Sequence, residues 1–316
     1  MRVLLLGADG FIGRRVAERL LVDPGMQVTV LGRRDSADIR FDLTAGSPGA
    51  LARFLDAVAP QVVVNCAGAT YGTSRLLIQA NTLAVATVCE AIRRSREPAR
   101  LVHIGSAAEY GPVQPGGPIP ETAEPRPVGP YGVSKLAGTE LVLASGLDAL
   151  VLRIFDVVGP GSPTASLFGR LAEGLRRALE QDELQIRMPD LSGYRDFVDV
   201  RDVARAIQSA AVSAATGVIN IGSGHAVRAR EAAHLLVRAS GFEGSLAEDG
   251  GRPVYVPAQA GPGGDGFRAS EPRPVPESVA WRQADVRTAR DRLGWRTQVP
   301  LEESLGDVWL ETACRV

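Results

Sequence analysis

Tyr131 and Lys135 stand four residues apart in Pro130-Tyr131-Gly132-Val133-Ser134-Lys135, a spacing that stacks the two side chains on one face of a helix. A phenol has an unperturbed pKa of about 10, and a neighbouring ammonium favours its ionised form, so the pair suits proton transfer to or from a substrate oxygen. Ser106, at the end of the apolar run Leu101-Val102-His103-Ile104, adds a hydroxyl able to polarise that oxygen. A tyrosine and a lysine at this spacing also describe an aromatic anchor and a solvated charge. The chemical reading gains its weight from a second constellation, Gly7, Gly10 and Gly13, near the start of the chain.

These residues need elements to position them. Val3 to Leu6 suit a strand buried on both faces, and Arg14 to Leu21 carry helical periodicity with Val16, Leu20 and Leu21 on one side. Between them, Gly7 permits a tight turn, Gly10 lets a pyrophosphate approach the backbone, and Gly13 lets helix and strand pack closely. The helix start, at Phe11 and Ile12, then presents free N–H groups to the anion. A second strand, Gln27 to Leu31, ends at Gly32-Arg33-Arg34. An NAD enzyme usually carries a carboxylate there for the ribose hydroxyls. Gly32 removes it and two arginines suit a 2′-phosphate, so NADP(H) is expected over NAD(H), although Asp35 is near enough to reach a ribose hydroxyl.

The alternation continues. Phe41-Asp42-Leu43-Thr44 precedes a helix from about Pro48 to Val58, and the strand Val62-Val63-Val64 runs into Asn65-Cys66-Ala67-Gly68, whose small residues would let a cofactor lie against the strand end. Ser74 to Arg96 reads as one long helix with Leu77, Ala80, Leu83, Ala84, Val88 and Ile92 along one side and Asn81 polar among them. Ser106 is delivered at a strand's carboxyl end, where open α/β sheets bind ligands. The loop Pro112 to Pro130 is long enough to form part of a substrate mouth. His103, inside its strand, reads as a core residue.

Composition narrows the partners. A chain of 316 residues with 45% hydrophobic residues can bury one large α/β domain with a smaller appendage. A formal net charge of −1 without a basic block argues against nucleic acid or an anionic membrane as partner. Cys66, Cys89 and Cys314 are too few and too scattered for a disulfide framework or a zinc site, and no metal is expected. The apolar runs read as too short to span a membrane, so a cytoplasmic protein acting on a small molecule is expected.

Gly7, Gly10, Gly13, Asn81, Ser106, Tyr131 and Lys135 together resemble the extended short-chain dehydrogenase/reductase family, the nucleotide-sugar epimerases, dehydratases and reductases, and the likeness runs through almost the whole chain. Leu152 to Gly161, Tyr194 to Ala204, Asn220 to Gly224 and Leu293-Gly294-Trp295 resemble that family's later blocks. Ile104-Gly105-Ser106 with Glu109-Tyr110-Gly111, Pro130 to Lys135 and Arg195 to Asp202 resemble the GDP-4-keto-6-deoxymannose reductases.

The resemblance implies a Rossmann doubly wound parallel sheet with a smaller C-terminal α/β substrate domain. Residues 1–159 would form the dinucleotide-binding domain, with returning segments at about 199–221, and residues 160–316 most of the substrate side. Tyr131 would exchange the hydroxyl proton, Ser106 would polarise the carbonyl, Lys135 would hold the nicotinamide ribose and tune the tyrosine, and Asn81 would orient the helix. Cofactor contacts are implied at Gly7, Gly10, Phe11, Ile12, Gly13, Arg33, Arg34, Asp42, Leu43, Ala67, Gly68, Tyr131, Lys135, Val157 and Val158. Substrate contacts are implied at Ser106, Tyr131, Asp156, Arg195 and Arg273. A homodimer would pair the helix at Ser74 to Arg96 with the one at Tyr131, approaching through Ala80, Ala84, Ala137 and Gly138.

Two absences and one departure shape the expected reaction. The family's dehydratases carry aspartate and glutamate after the serine, and its epimerase-reductases carry a cysteine two places on; this chain has Ala107 and Ala108. Plain carbonyl reduction, alcohol oxidation or 4-epimerisation with bound NAD survives, and Gly32-Arg33-Arg34 favours reduction by an exchangeable NADPH. Asp156 stands where the family usually has an asparagine beside the substrate diphosphate, which keeps a non-sugar ketone in view as substrate. A non-enzymatic NADP-binding sensor would have no use for the full Ser106, Tyr131 and Lys135 set. The stretch 250–276, rich in glycine and proline, reads as a surface loop.

Overall fold

The computed structural model describes residues 1–248 and 280–315, so Arg273 and the 250–276 stretch lie outside the described residues. The chain runs β1 (Arg2–Leu6), α1 (Phe11–Leu21), β2 (Gln27–Gly32), β3 (Ile39–Arg40), α2 (Pro48–Val58), β4 (Val62–Asn65), then a continuous helix made of α3 (Ser74–Ile78), a π-turn (Gln79–Leu83) and α4 (Ala84–Arg94). It continues with β5 (Arg100–Ser106), α5 (Gly129–Leu143), β6 (Ala149–Ile154), β7 (Asp156–Val158), α6 (Leu167–Glu180), β8 (Gln185–Met188), β9 (Tyr194–Asp199), α7 (Val200–Val212) and β10 (Gly217–Ile221). Last come β11 (Ala226–Arg228), α8 (Ala229–Ser240), β12 (Ser245–Glu248), α9 (Arg287–Leu293) and α10 (Leu301–Ala313).

A seven-stranded sheet in the order β10-β6-β5-β4-β1-β2-β3 forms the centre, with every neighbouring pair parallel. Successive residues of β1 point to opposite faces, and both faces are apolar and covered. Val3 and Leu5 pack with Val16 and Leu20 of α1 and Val203 and Ile207 of α7. Leu4 and Leu6 pack with Leu51 and Leu55 of α2 and Val88 and Ile92 of α4. This is a Rossmann-like α/β architecture. A three-stranded sheet, β11-β9-β7, and the pair β12-β8 lie beside it, backed by a third core around Leu171, Leu175, Leu236, Leu305 and Val308.

The helices depart from simple periodicity in two places. The π-turn inserts an extra residue into the 3.6-residue repeat. Leu83, expected on the apolar side, is therefore 55% exposed, while Asn81 is buried. Leu21, expected on the core side of α1, faces out as that helix ends. The continuous helix Ser74–Arg94 is also, by length and hydropathy, apolar enough to cross a membrane, which corrects the expectation that no run reaches that length. Its inner face packs on the sheet and on α2. The short edge strand β3 has too little apolar sequence to have been anticipated.

Candidate active site

Ser106 ends β5, and a turn of 3₁₀-helix, Ala107–Glu109, follows it at once. Ser106 caps that turn: its Oγ accepts from Ala108 N at 3.2 Å, and Glu109 Oε1 accepts from Ser106 N at 2.7 Å. The other carboxylate oxygen of Glu109 accepts from Arg153 Nε at 2.8 Å, and both side chains are sealed from solvent. A Cβ on Gly105 would lie 2.8 Å from Glu109 Oε1, so only glycine admits the carboxylate there. The Arg153 guanidinium lies 4.7 Å from the Tyr110 ring centre, and the Tyr110 hydroxyl donates to Asn220 Oδ1 at 2.7 Å. Ser106 is thereby braced from β6 and from β10.

Tyr131 and Lys135 lie in the first turns of α5, which opens with a proline where the missing N–H costs nothing. Gly132 seats the helix on the 3₁₀ turn, since a Cβ there would come within 2.6 Å of Ala108 O. Tyr131 is half-buried, and Ser106 is close enough to influence its phenol. Lys135 is buried and its Nζ donates to Ile104 O. Asn81 accepts from Ala69 N and donates to Ala69 O, each at 2.8 Å, and donates to Ser134 Oγ at 3.0 Å. It joins the end of β4 to α5. Gly138 permits the same helix contact, because a Cβ would meet Asn81 O at 2.3 Å. Ala84 is buried in the second core. Neither Gly138 nor Ala84 is therefore on the outer helix face where a partner subunit was expected to approach.

The electrostatics differ from the sequence expectation. Burial pushes the Tyr131 phenol above its ordinary value, opposed by the Ser106 hydroxyl and reinforced by the carboxylates of Glu109 and Asp156. The lowering expected from Lys135 is not seen, and burial depresses the lysine's own pKa against the pull of Glu109. His103 is a core residue; its Nδ1 lies 3.2 Å from Asn65 Nδ2, and burial holds the ring well below the usual histidine range.

The glycine turn fits a dinucleotide. Gly7 has φ 79°, and a Cβ there would strike Ala67 N at 2.6 Å; a Cβ on Gly13 would strike Gly7 O at 2.0 Å. Gly10 meets only Gly7 O at 3.4 Å, which keeps the space above the turn open. The α1 N-terminus, beginning at Phe11 and Ile12, has no side-chain cap, so its N–H groups are free for an anion. Gly68 is held close to Asn81, where a Cβ would lie 2.8 Å from Oδ1. Leu43 is buried in the second core, and Asp42 spends its carboxylate on Thr44 N and Oγ1 at 2.8 and 2.7 Å, which lowers its pKa. Val157 and Val158 lie in β7, with the Val158 side chain turned into the third core.

Arg33 and Arg34 are exposed at the end of β2. Asp35 pairs with Arg40 at 2.8 Å. On the substrate side, Asp156 is bridged by two guanidinium groups, Arg195 Nη1 at 3.1 Å and Arg282 Nη1 at 3.1 Å. Three of the groups expected near the substrate, Tyr131, Asp156 and Arg195, thus come together. Arg282 and the Glu109–Arg153 pair were missed. Glu109, directly before Tyr110-Gly111, was the available signal for the latter; nothing in the sequence linked position 282 to 156.

The chain can now be set beside known proteins. The model of the NAD dependent epimerase/dehydratase family matches residues 3–222. Over 321 residues, covering 98% of this chain and 94% of the relative, it is 37% identical to dTDP-6-deoxy-L-talose 4-dehydrogenase (NAD(P)(+)) of Kitasatospora kifunensis. It is 27% identical over 331 residues to GDP-6-deoxy-D-mannose reductase of Pseudomonas aeruginosa, covering all of this chain and 98% of that one. The structure of RMD from Pseudomonas aeruginosa complexed with NADPH superposes with a TM-score of 0.81 over 99% of each chain at 24% identity, a likeness of fold. With its glycine turn, its Ser106-Tyr131-Lys135 cluster and this breadth of match, the chain belongs to the NAD dependent epimerase/dehydratase family, the extended short-chain dehydrogenases/reductases, and is an NAD(P)-dependent enzyme.

Proposed function

We propose that the protein is an NADPH-dependent reductase of the 4-keto group of a nucleotide-linked 4-keto-6-deoxyhexose. The observation that carries this reading is the economy of the site. The Tyr131 phenol stands near Ser106, Ala107 and Ala108 offer no acid or base, and both nearby carboxylates, Glu109 and Asp156, are committed to arginines. Elimination and epimerisation at a neighbouring carbon each require a further acid or base; carbonyl reduction requires only one proton donor. The names of the relatives support the same carbon and substrate class, one being a 4-dehydrogenase of a dTDP-deoxysugar and the other a reductase named for a GDP-deoxysugar.

Gly7, Gly10, Gly13, Ala67 and Gly68 would hold NADPH along the glycine turn, with Arg33 and Arg34 toward its 2′-phosphate, and the bound cofactor would supply the hydride. Tyr131 delivers its proton to the substrate oxygen. Its raised pKa keeps the phenol loaded at neutral pH, which suits a donor. Ser106 donates a hydrogen bond to the same oxygen and strengthens it as negative charge develops. Lys135 holds the nicotinamide ribose hydroxyls and stabilises the phenolate left behind. Arg195 and Arg282 hold the substrate diphosphate in fork geometry, with Asp156 fixing their spacing; the carboxylate that seemed to forbid a diphosphate is outnumbered by guanidinium groups. The substrate lies between the large parallel sheet and the segments after residue 160.

Two copies of the chain pair through the outer faces of Ser74–Arg94 and α5, which leave Leu76, Leu83, Val133 and Leu141 exposed. Leu83→Glu should then shift the sedimentation coefficient from dimer to monomer. The function itself is tested by following NADPH absorbance and product with a panel of dTDP-, GDP- and UDP-linked 4-keto-6-deoxyhexoses and non-sugar ketones. One NADPH consumed per sugar product is the expected result. Interconversion of two sugar nucleotides with no net consumption would replace the reductase with an epimerase.

A further inference from the structure

Asp9, at the tip of the glycine turn, has no part in the mechanism above. Its carboxylate reaches across to the end of β2. Oδ2 lies 3.6 Å from the position a Cβ on Gly32 would take and 3.9 Å from Arg34 Nε, and Oδ1 accepts from the Ser36 hydroxyl at 3.2 Å. In this architecture the end of the second strand is where a ribose 2′-hydroxyl is told from a 2′-phosphate: a carboxylate accepts the hydroxyl proton and opposes the phosphate. The chain has no side chain at Gly32, yet a carboxylate arrives in the same space from the opposite wall. The other acids of this loop are occupied elsewhere, Asp35 by Arg40 and Asp38 by Val30 N at 2.8 Å. Asp9 is also the only carboxylate within 4 Å of that Cβ position among the described residues.

We infer that Asp9 sets how far this protein discriminates between NADPH and NADH. It offers the 2′-hydroxyl of NADH an acceptor, and it both repels the 2′-phosphate of NADPH and engages Arg34, one of the two cations suited to that phosphate. Arg33 has no acidic partner within ion-pair distance among the described residues, so it is the arginine that meets the phosphate first. Arg34 follows once it leaves Asp9. The protein accordingly binds both cofactors, with its preference for NADPH held down by one residue. This rests on the proposed seating of the dinucleotide along the glycine turn.

The test is equilibrium binding. NADPH and NADH are titrated separately, by cofactor fluorescence, into the wild-type protein, Asp9→Asn and Asp9→Ala, with a thermal melt to establish that each variant is folded. The wild type should bind both. The ratio of NADH to NADPH dissociation constants should rise roughly tenfold in each variant, as expected for removing one charge near a phosphate in a partly solvated site. Equal weakening of both cofactors would make Asp9 a turn-shaping residue and overturn the inference. An unchanged ratio in folded variants would do the same while leaving the proposed function standing. Failure of the wild type to bind either cofactor would overturn both.

Discussion

Two carboxylates act on Tyr131 from two sides, and they are held in opposite ways. Glu109 is sealed: no part of its side chain is exposed, its one guanidinium partner Arg153 is 3% exposed, and its second oxygen is spent on the Ser106 backbone. Asp156 is open: its arginines, Arg195 and Arg282, are 42% and 33% exposed. A sealed pair has no solvent to fall back on, so its geometry is fixed and each partner depends on the other. An open pair is screened and exchangeable, and an incoming anion can take a share of its guanidinium groups. The first holds Ser106 still; the second can share its guanidinium groups with an anion, as the proposed function requires.

Tyr131 is where the two regions meet, and its removal gives the largest effect. Tyr131→Phe preserves the ring and should keep the fold, while kcat falls by roughly 10²–10⁴-fold, the usual worth of general-acid assistance. Near-normal turnover would leave neither carboxylate with a proton donor to act on.

Next is stability. Glu109→Ala strands Arg153 in the interior and should cost about 3–5 kcal/mol in urea unfolding, whereas Asp156→Ala should cost about 1 kcal/mol or less. Equal losses would erase the distinction between sealed and open. Substrate affinity should invert the order. Asp156→Asn releases both guanidinium groups for the diphosphate, and KM for a nucleotide-sugar substrate should fall severalfold, with about 1 kcal/mol of charge screening removed. A raised KM would mean that the carboxylate serves chiefly to position the arginines.

The smallest effect is on pH. Reduction needs the protonated phenol, so kcat/KM should decline only as pH rises through the Tyr131 pKa, which burial and the two carboxylates place above that of a free phenol. Glu109→Gln and Asp156→Asn each remove a negative charge, lower that pKa and move the alkaline limb to lower pH. The shift should be larger for Glu109, the stronger of the two influences. The opposite ranking would make the open pair the one that tunes the acid.

What the sequence revealed divides along a related line. Gly7 and Gly13 were legible because backbone-to-backbone approach excludes every other residue there. Tyr131 and Lys135 were legible because helical spacing alone puts them together. Leu83 was misplaced because a π-turn leaves no mark in an apolar repeat. The partners of Glu109 and Asp156 were invisible for a simpler reason: Arg153 and Arg282 come from 44 and 126 positions away, joined by the fold and by no local pattern. Asp9 drew no reading of its own, since only the crossing from the turn to β2 shows what it faces.

Strand β10 has a consequence for the order in which the protein is made. It pairs with β6 as the last strand of the central sheet, and Asn220 within it accepts from the Tyr110 hydroxyl, donates to Ile119 O at 2.9 Å, and is fully buried. A nascent chain that has emerged as far as α7 already contains Ser106, Tyr131 and Lys135, yet β6 is still an open edge and Tyr110 has lost its anchor. Unpaired edges of buried parallel strands recruit other chains. During synthesis, therefore, the β6 edge stays exposed until residue 221 has emerged, and ribosome-bound chains halted before that point should lean on chaperones more than chains halted just after it.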